Sequence, residues 1–357
     1  MEPMEPMEPM NEVMVHGGML VAKALKREGV EVVFTLSGGH IAAIYDGCVR
    51  EGIRVMDTRH EQVAVHAAEG WAKVTRRPGV ALLTAGPGVT DGVTGIANAY
   101  QNGSPVLVFG GAAPVEQVDR GALQELRHVD LVSSITKWAR TVTQTRRLAE
   151  YTSMAFREAL SGRYGPVFLE CPMDTLNNLV PSEEAVIPGP GYRAAARTQA
   201  DPAAIERAAA LLAQAQRPVI FAGTTVWWDD ASAPLRALAE RVQAPVFLNG
   251  SARGSLPPDH PLFCSLARRT ALTQADVILL AGARLDFRLG YGQPPLIPAD
   301  ARIIWLDTLP EDIGANRGAD VGLPGHVGLN LAAIEQALGM VASHDDWLRQ
   351  VRVAEDR

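Results

Sequence analysis

Residues 80–92 read VALLTAGPGVTDG. Val80 to Ala85 is an apolar run of strand length, and Gly86-Pro87-Gly88 closes it. A helix is expected over 89–101, so the stretch reads as strand, glycine-rich turn and helix. The same phrase recurs on both sides. A helix over 18–28 stops at Gly29, and Val30 to Leu36 is a short β-branched strand ended by Ser37-Gly38-Gly39. Helices follow over 40–51 and 60–76, with a strand from Ile53 to Thr58 between them. Pro105 to Gly111 is a further strand. A looser stretch leads to a helix near 146–161 and a last strand, Val167 to Cys171, closed by Pro172. Strands alternating with helices imply a parallel sheet covered on both faces.

Residues 13–175 therefore read as one α/β domain. Residues 176–200 are rich in proline, glycine, alanine and arginine without periodicity, and read as a linker. Asp201-Pro202 signals a helix start over 203–215. Strands at Val219–Ala222, Val246–Leu248, Val277–Ala281 and Ile303–Asp307 follow, with helices near 232–242 and 327–340. Residues 201–342 form a second, smaller domain of the same kind. The fold class is α/β, two doubly wound and mainly parallel-sheet domains. Residues 343–357 are charged, carry an exposed-looking Trp347 and read as the start of a missing segment. Residues 1–12 open with Met-Glu-Pro three times and are expected to be a disordered leader.

Composition narrows the function. The 357 residues carry a net charge of −7 and no basic run, a poor match to nucleic acid. No apolar stretch approaches the roughly 20 residues that span a bilayer. Three widely spaced cysteines, Cys48, Cys171 and Cys264, suggest neither a disulfide framework nor a zinc site, so a reduced, cytoplasmic protein is expected.

Ligands of open α/β sheets bind beyond the carboxyl ends of strands. There the sequence places Ser37-Gly38-Gly39-His40, Arg59-His60-Glu61, Gly86-Pro87-Gly88 and Gly110-Gly111. Taken singly, each has a plain reading: a tight turn, a first-turn carboxylate favoured by the helix dipole, a satisfied histidine. Gly86-Pro87-Gly88 lacks the G-x-G-x-x-G spacing of dinucleotide folds. The residues alone give two α/β domains with a ligand site at the strand ends of the first.

Taken together and in order, Thr58-Arg59-His60-Glu61, Ala67-Ala68-Glu69-Gly70 and Thr84-Ala85-Gly86-Pro87-Gly88 resemble the pyrimidine-binding domain of thiamine-diphosphate enzymes. Acetolactate synthase, benzaldehyde lyase and 2-hydroxyacyl-CoA lyases are the similar groups. Ile135-Thr136-Lys137-Trp138 and Gly165-Pro166-Val167 extend the match, and Gly282 to Arg288 resembles a segment of the family's central domain. The resemblance implies that Glu61 hydrogen-bonds N1′ of the aminopyrimidine, which lets the exocyclic nitrogen take the thiazolium C2 proton. His40, after the paired glycines, leans toward a lyase and would handle a substrate hydroxyl proton. Gln124 matches a pocket-lining position. Gly38, Gly39, Gly86, Pro87 and Gly88 would adjoin the cofactor. Arg163 and Arg284 match nucleotide-contacting positions, implying an ADP- or CoA-like ligand or FAD, although 262–272 (LFCSLARRTAL) lacks the methionine- and histidine-rich FAD segment. Asp91 stands where the family often has asparagine.

The resemblance also implies Mg2+, held by a third domain whose Gly-Asp-Gly signature does not occur in this sequence. No metal ligand is therefore assigned here, and weak or no binding of the cofactor by this chain alone is expected. The implied activity is carbon–carbon lyase or synthase chemistry on a 2-keto acid, 2-hydroxy ketone or 2-hydroxyacyl substrate. A homodimer or homotetramer is implied, or completion by a separate diphosphate-domain subunit. The alternative is a catalytically inactive two-domain binding or regulatory partner.

Overall fold

The computed structural model describes residues 13–189 and 191–356. The expected leader at 1–12 lies outside them. The chain forms two compact units, one ending at Ala194 and the other starting at Ala195.

In the first unit the strands are β1 (Met14–His16), β2 (Val32–Thr35), β3 (Arg54–Asp57), β4 (Gly79–Leu83), β5 (Val106–Ala112), β6 (Trp138–Thr141), β7 (Val167–Pro172) and β8 (Leu179–Pro181). The helices are α1 (Gly17–Arg27), α2 (Ala42–Arg50), α3 (Glu61–Thr75), α4 (Pro87–Asn102), α5 (His128–Val132), α6 (Leu148–Leu160) and α7 (Met173–Asn177). Six strands make one parallel sheet in the order β3-β2-β4-β5-β7-β6. The chain builds outward from β2 in one direction and from β4 in the other. The switch point lies between β2 and β4, where such sheets bind ligands. Phe109, Leu82, Val80 and Leu25 fill one face, and Phe168, Leu83, Ala81 and Ile96 the other.

The second unit repeats the plan. Its strands are β9 (Pro218–Ala222), β10 (Val246–Leu248), β11 (Phe263–Cys264), β12 (Val277–Ala281), β13 (Arg302–Asp307) and β14 (Val321–Pro324). Its helices are α8 (Pro202–Gln214), α9 (Thr224–Trp228), α10 (Ser232–Val242), α11 (Arg268–Leu272), α12 (Val327–Ala337) and α13 (Asp345–Glu355). The order β11-β10-β9-β12-β13-β14 puts the switch point between β9 and β12. Among the described residues, no helix is long and apolar enough to cross a membrane.

Three expectations need correction. The looser stretch before 146 contains α5 and the edge strand β6. The expected linker is not loose at its start: β8 pairs antiparallel with β1, and Ser182 donates to the Val13 carbonyl at 2.8 Å. Tyr192 and Arg193 then reach Glu28 on α1. The charged tail is helix α13, and Trp347 is only 4% exposed. Its indole donates to the Pro218 carbonyl at 3.0 Å, and Glu355 accepts the amides of Ser265, Leu266 and Ala267. The segment's charge suggested solvent, but its apolar residues Trp347 and Val351 fall one turn apart and bury together.

Candidate functional site

Three loops meet at the switch point of the first sheet. The first follows β2 and carries Gly38, Gly39 and His40. The second follows β3 and runs into α3. The third follows β4 and runs into α4. Helix α3 starts at Glu61 because His60 caps it: the His60 Nδ1 accepts the Gln62 amide at 3.2 Å. A carboxylate in the first turn is also favoured by the helix dipole. Helix α4 starts two residues earlier than expected, at Pro87. Proline suits that place, since its missing N–H would have no helical partner there.

Close packing of α3 on α4 brings the two helix starts together. A methyl group on Gly95 would stand 2.7 Å from the Val65 Cβ, so only glycine permits this approach. Glu69 locks the pair. It is 3% exposed, and its carboxylate accepts from Asn98, Asn102 and Ser104 and pairs with Lys73 at 2.7 Å. Burial pushes this carboxyl up, but the Lys73 ammonium and the amide and hydroxyl donors outweigh it and hold it below the usual range.

Glu61 is the opposite case. It is 7% exposed, and among the described residues no hydrogen bond or ion pair reaches its carboxylate. Its oxygens are not among the buried side-chain atoms left without a partner, so they open to solvent or to a ligand. A carboxylate held by a mostly buried side chain, with no protein partner, is free to bind a ligand. Gly88 packs tightly beside it: a methyl group there would stand 3.4 Å from the Glu61 Oε1 and 2.6 Å from the Thr84 Cγ2. Thr84 in turn places its hydroxyl 3.2 Å from the His40 Nδ1, and Gly38 packs on the same side chain. His40 is 6% exposed and rests over Gly111. Glu61, Gly88, Thr84, Gly38 and His40 thus form one continuous lining. Gly39 opens the short turn holding His40. Thr84, quoted above within the strand and its motif, was given no role in the site by the sequence.

Gly86 has φ 60° and ψ −115°, a conformation that suits only glycine. The Gln124 backbone lies over it: a Cβ on Gly86 would be 2.7 Å from the Gln124 carbonyl oxygen. Gln124 itself is left-handed, with φ 57°. On the far side, the Gly86 amide donates to the Nε2 of His128, a fully buried residue that the sequence did not single out. The signal was Glu170, a lone carboxylate inside the apolar strand β7.

His60, Glu61 and Asp91 bring one donor atom each within 4.8 Å of one another. They do not make a convincing cation site. The His60 Nδ1 is taken by the α3 cap, so a neutral ring carries its proton on Nε2, which faces the Asp91 carboxylate at 3.9 Å.

The two arginines lie elsewhere. Arg163 donates to the Gln101 carbonyl at the far end of α4, about 22 Å along the helix from Gly86 at about 1.5 Å per residue. Arg284 follows β12 in the second unit and pairs with Asp312 at 3.0 Å. That unit's switch point is also lined with glycine: a Cβ on Gly223 would stand 2.2 Å from the Gly282 carbonyl oxygen. Asp307 ends β13 nearby. It is 4% exposed, and burial pushes its carboxyl up to about 7.

Comparison with known proteins gives this arrangement a family. Residues 15–132 match the thiamine pyrophosphate enzyme N-terminal TPP binding domain, and residues 205–334 match the central domain. The acetolactate synthase large subunit IlvG of Mycobacterium tuberculosis is 43% identical over 96% of this chain and 61% of its own length. The 2-hydroxyacyl-CoA lyase 2 of Homo sapiens is 34% identical over 95% of this chain and 59% of its own. A probable acetolactate synthase large subunit of Methanocaldococcus jannaschii is 35% identical over 94% and 58%. The chain spans about 60% of the length of these curated relatives. The Glu61 carboxylate and the glycine turns packed beside it are thus features of a chain that belongs to the thiamine pyrophosphate enzymes, of which it carries the N-terminal TPP binding domain and the central domain.

Proposed function

We propose that this chain supplies the pyrimidine-binding half of a thiamine-diphosphate site for carbon–carbon bond cleavage or formation. The observation that carries the reading is the Glu61 carboxylate, 7% exposed and bound by no described residue, beside the glycine backbone at Gly88. A flat aminopyrimidine fits a cleft whose walls are glycine backbone. Glu61 would hydrogen-bond its ring nitrogen N1′ and so favour the imino tautomer, whose exocyclic nitrogen can take the C2 proton. When bound, the cofactor supplies the electron sink next to a carbonyl. His40, oriented by Thr84, would hold the proton of a substrate hydroxyl, and Gln124 would help to shape the pocket.

The relatives' names divide between acetolactate synthase and 2-hydroxyacyl-CoA lyase. His40 favours 2-hydroxyacyl or 2-hydroxy ketone substrates over condensation of two 2-keto acids. Mg2+ belongs to the diphosphate end of the cofactor in this reading, and no residue of this chain is assigned to it. The diphosphate site would come from another domain, in a homo-oligomer or a separate subunit. An ADP- or CoA-like nucleotide would sit at the second unit's switch point, near Arg284 and Asp307. The functional test offers this chain, assembled with the domain or subunit that supplies the diphosphate site, Mg-thiamine diphosphate with either pyruvate or a 2-hydroxyacyl thioester. Cleavage of the thioester, lost in Glu61→Gln, is the expected result. Acetolactate formation that does not depend on Glu61 or His40 would refute it.

A further inference from the structure

The Gly86 amide ends a chain of buried polar groups. It donates to the His128 Nε2 at 2.8 Å. A ring nitrogen that accepts a hydrogen bond carries no proton, so the neutral imidazole bears its proton on Nδ1. That nitrogen faces the Glu170 Oε1 at 2.7 Å. The other Glu170 oxygen accepts the Thr141 hydroxyl. Thr141 on β6, Glu170 on β7 and His128 at the start of α5 thus converge on one amide, at the cap of α4. His128 is fully buried, and the end of this relay is the turn whose last residue, Gly88, faces the Glu61 carboxylate.

The geometry points to His128 as a positioning residue for the pyrimidine site, with Glu170 and Thr141 selecting its tautomer. The acceptor nitrogen anchors Gly86 in its glycine-only conformation beneath the Gln124 loop. That anchor fixes where Gly88 stands against Glu61. The opposite tautomer would turn an N–H toward the Gly86 N–H and release the turn. This inference rests on reading Glu61 as the group that receives the pyrimidine, and its test separates the two.

The test uses the isotope-labelled full chain and NMR. In the free wild-type chain, the Gly86 amide should show a through-hydrogen-bond coupling to a non-protonated His128 Nε2. His128→Leu fills the volume without an acceptor. It should move the Gly88 amide and Glu61 carboxyl resonances and weaken millimolar thiamine binding about tenfold. His128→Gln, which can accept from Gly86 and donate to Glu170, should restore both. If His128→Leu fails to fold, Glu170→Leu serves instead: it removes the acceptor that holds the ring proton on Nδ1 and should weaken or abolish the coupling. Absence of the coupling in the wild type overturns the proposal. So does a folded His128→Leu, or a folded Glu170→Leu, with unchanged Gly88 and Glu61 resonances. Coupling present but no thiamine-induced shift at Gly88 in the wild type means that the Glu61 reading has failed while the anchor stands.

Discussion

Glu61 and Gly88 face each other at the starts of two packed helices, with the glycine's missing side chain leaving 3.4 Å from its ideal Cβ position to the Glu61 Oε1. Gly88→Ala would bring a methyl group into contact with that oxygen and press on Thr84 at 2.6 Å. Overpacking of this kind costs about 1–3 kcal/mol. The variant should be measurably less stable to denaturant and should lose thiamine binding by more than its stability loss explains. Unchanged binding would place the ligand elsewhere.

The Glu69 network should be visible as a pH effect. Its carboxyl titrates below the ordinary value of 4.5 in the folded chain, so the contribution is present above that value and fades as the pH falls through it. Glu69→Gln should destabilise the first unit by about 1–3 kcal/mol near neutral pH. Urea melts of both proteins should converge in acid.

Asp307 should behave in the opposite sense. Its folded-state pKa of about 7 lies above the ordinary 3.8, so the folded form holds a proton that the unfolded form releases. Stability should therefore fall as the pH rises from about 4 to about 7 and then level off. Asp307→Asn should flatten that slope, which urea melts across the range would measure.

Trp347→Ala tests the docking of α13. A buried tryptophan replaced by alanine costs about 3–5 kcal/mol, whereas an exposed one costs less than about 0.5 kcal/mol. The larger value is expected for unfolding of the second unit, because the indole is buried and bonded to the Pro218 carbonyl.

The pattern of strand and helix around residues 80–92 made both parallel sheets legible, since fully buried strands such as β4 and β12 are continuous apolar runs. Glu61 was legible because a carboxylate opening a helix after a strand stands in a short ordered motif. The edge strand β6 was not, for Arg140 and Thr141 interrupt its apolar pattern. The pairing of β1 with β8 joins three residues at each end of the unit, a contact that no local pattern records. His128 was invisible for the same reason: its partners Gly86 and Glu170 are each 42 positions away.

The central claim is that the Glu61 carboxylate activates the pyrimidine of bound thiamine diphosphate. Exchange of the cofactor's C2 proton, followed by NMR with Mg2+ on this chain assembled with its diphosphate-site domain, as wild type and as Glu61→Gln at equal occupancy, tests it most directly. The wild type should accelerate exchange over the free cofactor, and Glu61→Gln should return it to the free rate. Equal acceleration by both proteins would contradict the account.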